Sequence, residues 1–597
     1  MMSTASKILT ALRESMQQYS LAALIVPSGD PHNSEYVKDE YKCRAYITNF
    51  KGSAGTCLVT MFEAYLWTDG RYWLEASQTL YPEWTLMKDG HPGVPTLESW
   101  IELNLGSAVP VGMNSCLSTV AEWERRRKTI NLVSVPELVQ PLMPPVERPL
   151  AKVYARPDEF CGLRCEEKVA ALVEEMERQK CDAVVLSALD EVAWLTNLRG
   201  WEVPFNPVFY AYGVVQRGAA APTVHLFVDA DVGEAKGSAL EFHPYNALEA
   251  HLRALPTGTT FLVDVCQTSQ WLFALLESTG MQVKRVQCGP AQMLKAVKNT
   301  VEIEGFRRCH VRDGVALTRY LAWLHDAVAV KGDTSITEAS GARRLEEFRR
   351  EEEHFVQLSF STISSVGPNA AVVHYTAPPE GSATIVPNQL YLVDSGAQYL
   401  DGTTDVTRTV CFTRPSEEER EAYTLVLKGN LALRRAVWPI GTSGHHLDVL
   451  ARAALWQCGM NYAHGTGHGV GSFLNVHEGP QGIGMRPMPT GATLTAGMVI
   501  SNEPGYYKDG AFGIRIENLE VVVAAPTKHS KEGFLTFDTL TVVPLCRELT
   551  DVAVLTQAER QQVDAYHQKV REALLPHLRR RNDSRAIAYL EHHTAPL

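Results

Sequence analysis

Five side chains in the second half of the sequence have the types and spacing of a metal site: Asp394, Asp405, His468, Glu503 and Glu517. Strand alternation in QLYLVD puts Leu390, Leu392 and Asp394 on one face, and in GIRIENLEV it puts Glu517 with Leu519 and Val521. A carboxylate on an apolar strand face is costly unless it is paired or metal-bound, although an acid at a strand end can also sit at an exposed turn. Asp405 follows Asp394 by eleven residues through SGAQYLDGTT, a glycine-containing connection able to fold back and bring both carboxylates together. HGTGHGVG supplies His464 and His468, with His477 soon after. Its glycines let the backbone approach a ligand closely. One such histidine reads as a satisfied core residue, but three in fourteen residues point to a site. The Glu503-Pro504 step bars a helix and fixes an extended residue before a turn.

Four carboxylates balance the charge of two divalent cations. One imidazole among many oxygens suits manganese better than structural zinc, which would recruit cysteines. Two ions about 3.5–4 Å apart can share a water, lower its pKa and stabilise an oxyanion. That chemistry is hydrolysis.

The elements that must position these groups are legible in part. ALRESMQQYSLAALIVPSGD followed by Tyr46-Ile47-Thr48-Asn49-Phe50 resembles ALVEEMERQKCDAVVLSALD followed by Trp194-Leu195-Thr196-Asn197-Leu198. Each reads as a helix, a strand and a second strand-like segment ending near Thr-Asn, so two tandem α/β units are expected. A proline-rich joint, Pro136 through Pro149, separates them. From Asn299 the pattern is α+β. Capping signals at Asn299/Glu302, Ser335/Glu338, Ser416/Glu419, Thr442 and Thr556/Glu559 open helices, the first running towards Asp333 and the last to about Arg581. Strand-like runs surround Val372, Leu392, Val499 and Val521.

The 597 residues leave room for several domains, and 45% hydrophobic with 21% charged residues is globular composition. A net charge of −12 argues against a nucleic-acid or anionic-membrane partner. Arg13 and Glu14 interrupt the amino-terminal pattern, which lacks a signal-peptide core, and no apolar run approaches the roughly 20 residues of a membrane span. The twelve cysteines form no CxxC pairs, Cys161 and Cys165 included, as in a reducing compartment. A cytoplasmic protein is expected.

The order Asp, Asp, His, Glu, Glu resembles the pita-bread metallopeptidases, a family covering methionine aminopeptidase, prolidase and aminopeptidase P. SVGPNAAVVHY, LVDSGAQYLDGTTDVTRT, HGTGHGVGSFLNVHEGP, NEPGYY and FGIRIEN are similar to the longer Xaa-Pro aminopeptidases of that family. GSAGT and LWTDGRYWLEA extend the likeness to the first unit, and the tail after Leu555 extends it to the end.

The resemblance implies two creatinase-like α/β domains, 1–148 and 149–298, a pita-bread catalytic domain, 299–550, and a helical carboxy-terminal extension, 551–597. It implies that Asp394 holds one ion, His468 and Glu503 the other, with Asp405 and Glu517 bridging. Glu503 would also be the general base towards a bridging water or hydroxide. His374 and His477 would contact substrate and help move protons, His464 would lie beside a proline pocket and Arg515 would orient carboxylates. Arg71 would reach substrate from the first domain, unless it is an exposed turn arginine. The implied activity removes the first residue of a peptide when proline is second, in a homodimer with two divalent ions, manganese by preference. A prolidase-like dipeptidase shares all five ligands, and two tandem units plus a helical tail favour the longer aminopeptidase. A catalytically silent binding module or a metal-free creatinase-like hydrolase would not need every ligand that this chain keeps.

Overall fold

The computed structural model describes residues 3–146, 151–218, 221–233, 240–529 and 533–597. They form two compact units. The first comprises residues 1–156 and 163–294, the second 157–162 and 295–597. The expected boundary at 148/149, with Pro149, lies outside the described residues.

The first unit contains two six-stranded sheets with the same topology. In one, the order is Thr85–Lys88, Ala64–Thr68, Thr56–Thr60, Ala23–Val26, Pro110–Met113, Asn131–Ser134. In the other it is Leu240–His243, Thr223–Val228, Ala211–Gln216, Ala183–Leu186, Thr260–Asp264, Gln282–Val286. Numbered within each repeat, both read 4-3-2-1-5-6, with the 1–2 and 2–3 pairs antiparallel and the others parallel. The tandem repeat is therefore real at the level of every strand pair. In each copy an amphipathic helix precedes strand 1: Thr4–Gln18 buries Ile8, Leu9, Leu12 and Met16, and Cys165–Arg178 buries Val169, Leu172 and Met176.

The segments ending at the Thr-Asn pairs are helices, not strands. Cys43–Thr48 and Leu189–Thr196 each end at an asparagine in the left-handed region, Asn49 at φ 64° and Asn197 at φ 57°. Thr48 and Thr196 donate their hydroxyls to the carbonyls four residues back, at 2.7 and 2.8 Å. Burial of nearly every residue erased the amphipathic period that would have marked the second helix.

The second unit is α+β with antiparallel sheets. A six-stranded sheet runs Trp438–Pro439, Phe534–Thr539, Asn518–Ala525, Val499–Asn502, Gly467–Gly469, Glu478–Ile483. A three-stranded sheet has Tyr391–Ser395 between Ile363–Val366 and Val406–Val410. Helices Thr300–His325, Glu338–Arg350, Glu417–Arg434, Asp448–Gln457, Gln557–Arg580 and Ser584–His593 accompany these sheets. The capping boxes at Asn299/Glu302, Ser416/Glu419 and Thr556/Glu559 form as read.

Three readings differ. The cap of Glu338–Arg350 is Thr337, because Asp333 holds the Ser335 hydroxyl and the Glu338 carboxylate is buried, accepting from Val366 N and Tyr375 Oη. Thr442 closes a turn onto Pro439 O, and the helix begins only at Asp448. Val372 follows the 3₁₀ turn Gly367–Ala371 and lies in no strand, whereas Leu392, Val499 and Val521 do.

Candidate metal centre

The connection after Asp394 folds back as its length allowed. Tyr391–Ser395 pairs antiparallel with Val406–Val410, placing Asp394 opposite Thr407, so Asp405 enters the returning strand beside it. Glu503 leaves Val499–Asn502, and Glu517 lies between strands Phe512–Arg515 and Asn518–Ala525. His468 occupies the short strand Gly467–Gly469. A Cβ on Gly467 would lie 2.0 Å from Ser501 O, so glycine there permits the strand carrying His468 to reach its neighbour. Asn430 and Asn502 exchange side-chain-to-backbone hydrogen bonds of 2.9 and 3.0 Å, tying Glu417–Arg434 to the strand that delivers Glu503.

These residues meet in overlapping groups. Donor atoms of Asp394, Asp405 and Glu517 lie within 4.8 Å of one another, as do those of His468, Glu503 and Glu517, and those of Asp405, His468 and His477. His468 Nε2 is 3.5 Å from both Asp405 Oδ2 and Glu503 Oε1. Its Nδ1 donates to Gly469 O at 2.9 Å, which fixes the ring with Nε2 towards the carboxylates. His477 packs edge-on against His468, with ring centroids 4.4 Å apart.

Burial, then repulsion by Asp405, Asp394 and Glu503, raises the Glu517 carboxyl well above its ordinary range. Burial likewise pushes Asp394 up to about 6, opposed by Arg515 and assisted by Asp405. Glu503 is raised by burial, against the pull of His468. Burial opposes charge on His468, yet Asp405 and Glu503 push it up to about 9. Asp394 Oδ1 is buried with no hydrogen-bond partner. Carboxylates so crowded, one with an orphaned oxygen, gain from cations between them; the residues present fit a divalent-metal centre.

Arg515 organises one flank. It donates to Asp394 Oδ2 at 2.6 Å, Thr407 Oγ1 at 3.2 Å and Tyr507 Oη at 2.7 Å. Thr407 passes the contact on, donating to Glu517 Oε2 at 2.7 Å, and Tyr507 Oη lies 2.8 Å from His464 Nε2. The strand breaks between Arg515 and Glu517, so Arg515 reaches the carboxylates across strands rather than by sharing a strand face with Glu517. His374 follows Val373, whose carbonyl accepts from Arg515 Nη2 at 3.4 Å. Arg71 belongs to the first unit, where it makes a bidentate pair with Asp69 at 2.8 Å.

Sequence reasoning missed Thr407, Tyr507 and Ser501. Ser501 Oγ accepts from His468 N at 2.9 Å and donates to Glu503 Oε1 at 3.1 Å. The first two lie inside DVTRT and NEPGYY, so the available signal was a hydroxyl two residues after Asp405 and another four after Glu503. Arg408 was missed as well: fully buried, it donates to Glu517 O at 2.7 Å and to Tyr566 Oη of Gln557–Arg580 at 2.8 Å.

Comparison with known proteins gives the family. Residues 304–524 match the metallopeptidase family M24 and 533–597 its C-terminal region; 9–142 and 144–302 each match the creatinase/prolidase N-terminal domain. A probable Xaa-Pro aminopeptidase P of Laccaria bicolor is 43% identical, covering 99% of this chain and 93% of its own. The chain belongs to the Xaa-Pro aminopeptidase P group of family M24. Xaa-Pro aminopeptidase 1 of Dictyostelium discoideum is 41% identical over 99% of this chain and 96% of its own. The X-prolyl aminopeptidase of Caenorhabditis elegans, described as a cytosolic enzyme with a di-nuclear active site, superposes with a TM-score of 0.94 at 35% identity, covering all of both chains. This M24 metallopeptidase is thus a hydrolase, with two creatinase-type domains ahead of the catalytic one.

Proposed function

We propose that this M24 enzyme removes the amino-terminal residue from peptides with proline in second position, using two divalent metal ions, manganese by preference. The carrying observation is the overlap of the donor groups. Glu517 belongs to both the Asp394/Asp405 set and the His468/Glu503 set, which supports Asp394 on one ion, His468 and Glu503 on the other, and Asp405 and Glu517 shared. Two such ions, when bound, polarise the scissile carbonyl and make water nucleophilic near neutral pH.

The chain's own residues do the rest. Glu503, steadied by the Ser501 hydroxyl on Oε1, takes the proton of the attacking water and returns one to the leaving nitrogen. His477, beside His468, donates a hydrogen bond to the reacting carbonyl. His374 contacts the peptide, and His464, with one nitrogen fixed on Tyr507, borders the proline ring. Arg515 holds Asp394 and Tyr507, and through Thr407 it positions Glu517. Arg71 is proposed as a further substrate-binding residue. The bond before proline is a tertiary amide without N–H, and the ring fixes φ, so a site that grips the ring accepts what N–H-reading sites reject.

We assign the four-domain division 1–148, 149–298, 299–550 and 551–597, a cytoplasmic location and a homodimer to the same reading, with peptides as the partners. Among the described residues no helix is long and apolar enough to cross a membrane. The test is a panel of Xaa-Pro, Xaa-Pro-Yaa and Xaa-Ala-Yaa peptides. Xaa-Pro-Yaa is cleaved best; cleavage of Xaa-Pro dipeptides alone would make the enzyme a prolidase.

A further inference from the structure

A second convergence of ligand-type side chains lies in the first unit and includes none of the residues assigned to catalysis. His225 is on Thr223–Val228, His243 ends the adjacent strand Leu240–His243, and His251 is on helix Leu248–Ala254. The parallel pairing sets Glu241 directly beside His225. One ring nitrogen from each histidine lies within 4.8 Å of the others. His225 Nδ1 is 3.1 Å from His243 Nε2, and Glu241 Oε2 is 3.1 Å from the former and 3.9 Å from the latter.

The proton placement matters. His225 Nε2 faces Gln216 Oε1 at 3.1 Å. A carbonyl oxygen only accepts, so Nε2 carries the hydrogen and Nδ1 turns a lone pair inward. A metal-binding imidazole is oriented in this way by an outer acceptor. A proton shared between His225 and His243 would satisfy that pair alone, and His251 Nε2 would stay as it is, buried and without a partner. A cation among the rings satisfies all four groups.

We propose that His225, His243, His251 and Glu241 form a metal site for a borderline transition-metal ion, zinc first, separate from the carboxylate-rich centre. Three imidazoles and one carboxylate are tetrahedral zinc ligands; zinc–ligand distances of about 2.0–2.1 Å put the ligand atoms roughly 3.3 Å apart. The two 3.1 Å separations are close to that spacing. Glu241, with its side chain 58% exposed, offers entry from solvent. With four protein ligands the site is of the structural kind, stapling the edge strand Leu240–His243 to its neighbour and to helix Leu248–Ala254.

The test strips the full chain with a chelator and titrates Zn²⁺ against a chromophoric competitor. Wild type takes up one more equivalent of zinc than His225→Asn/His251→Gln, and zinc raises the melting temperature of wild type further than that of the double variant, which keeps only the carboxylate-rich centre. Cobalt(II) in wild type gives the intense visible bands of tetrahedral coordination, and the double variant lacks them. His243→Asn, at a half-buried ring less exposed to folding defects, and Gln216→Leu, which removes the outer acceptor, each weaken that equivalent about 10–100-fold or more. Equal zinc uptake and equal cobalt spectra in wild type and all variants would overturn the proposal.

Discussion

At Glu503 the general-base role and the metal-holding role fall on one carboxylate, so an isosteric amide separates charge from shape. Glu503→Gln keeps a folded protein but lowers kcat by about 10²–10⁴-fold; steady-state kinetics with circular dichroism on one preparation checks it. His477 tests the opposite case. It touches His468 and shares a donor group with Asp405, yet the role proposed for it is towards substrate. His477→Ala is expected to reduce kcat/KM for Xaa-Pro-Yaa by the roughly 2.7–4 kcal/mol typical of a lost oxyanion donor, about a hundredfold or more. Elemental analysis should find its metal content nearly unchanged. Loss of metal along with activity would make His477 a ligand instead.

One element is held to the site by buried charge. Glu478, next to His477, opens the strand Glu478–Ile483, and its carboxylate accepts from Lys295 at 2.8 Å and from Lys298. All three side chains are almost wholly buried, and burial depresses the Lys298 pKa against the pull of Glu478. Removing one member of a buried ion group strands the others without compensation. Glu478→Gln is therefore expected to destabilise the second unit by about 3–5 kcal/mol, seen as a lower melting temperature. It should also loosen the turn that carries His477, seen as a raised KM. The capping boxes of Thr300–His325, Glu417–Arg434 and Gln557–Arg580 contribute more modestly, about 1 kcal/mol each.

For the molecule as a whole, cations must offset four crowded carboxylates, three of them buried, that Arg515 and His468 balance only in part. Exhaustive chelation abolishes peptidase activity, and manganese restores it best among divalent ions, as metal add-back assays will show; full activity in a metal-depleted sample would sink the metal mechanism. Helix Gln557–Arg580 is coupled to the same centre, because Arg408 bonds both the Glu517 carbonyl and Tyr566. A homodimer is expected at micromolar concentration, and light scattering giving the monomer mass of 66.1 kDa would refute it.

What lay in the sequence was what short-range rules write there. Helix starts at Asn299, Ser416 and Thr556 follow from side chains reaching three residues. The tandem repeat showed as a recurring helix–strand order, and the order of Asp394, Asp405, His468, Glu503 and Glu517 suggested a shared site because strand alternation and glycine spacing are local. Tyr46–Phe50 misled because a short apolar run carries no period to separate helix from strand; the left-handed Asn49 decided it. The hydroxyls of Thr407 and Tyr507, the guanidinium of Arg408 and the cluster of His225, His243 and His251 became functional candidates only in three dimensions. Their partners lie on other elements, Thr407 meeting Glu517 110 residues away, and which side chains face each other there is set by strand register, which only the folded sheet determines.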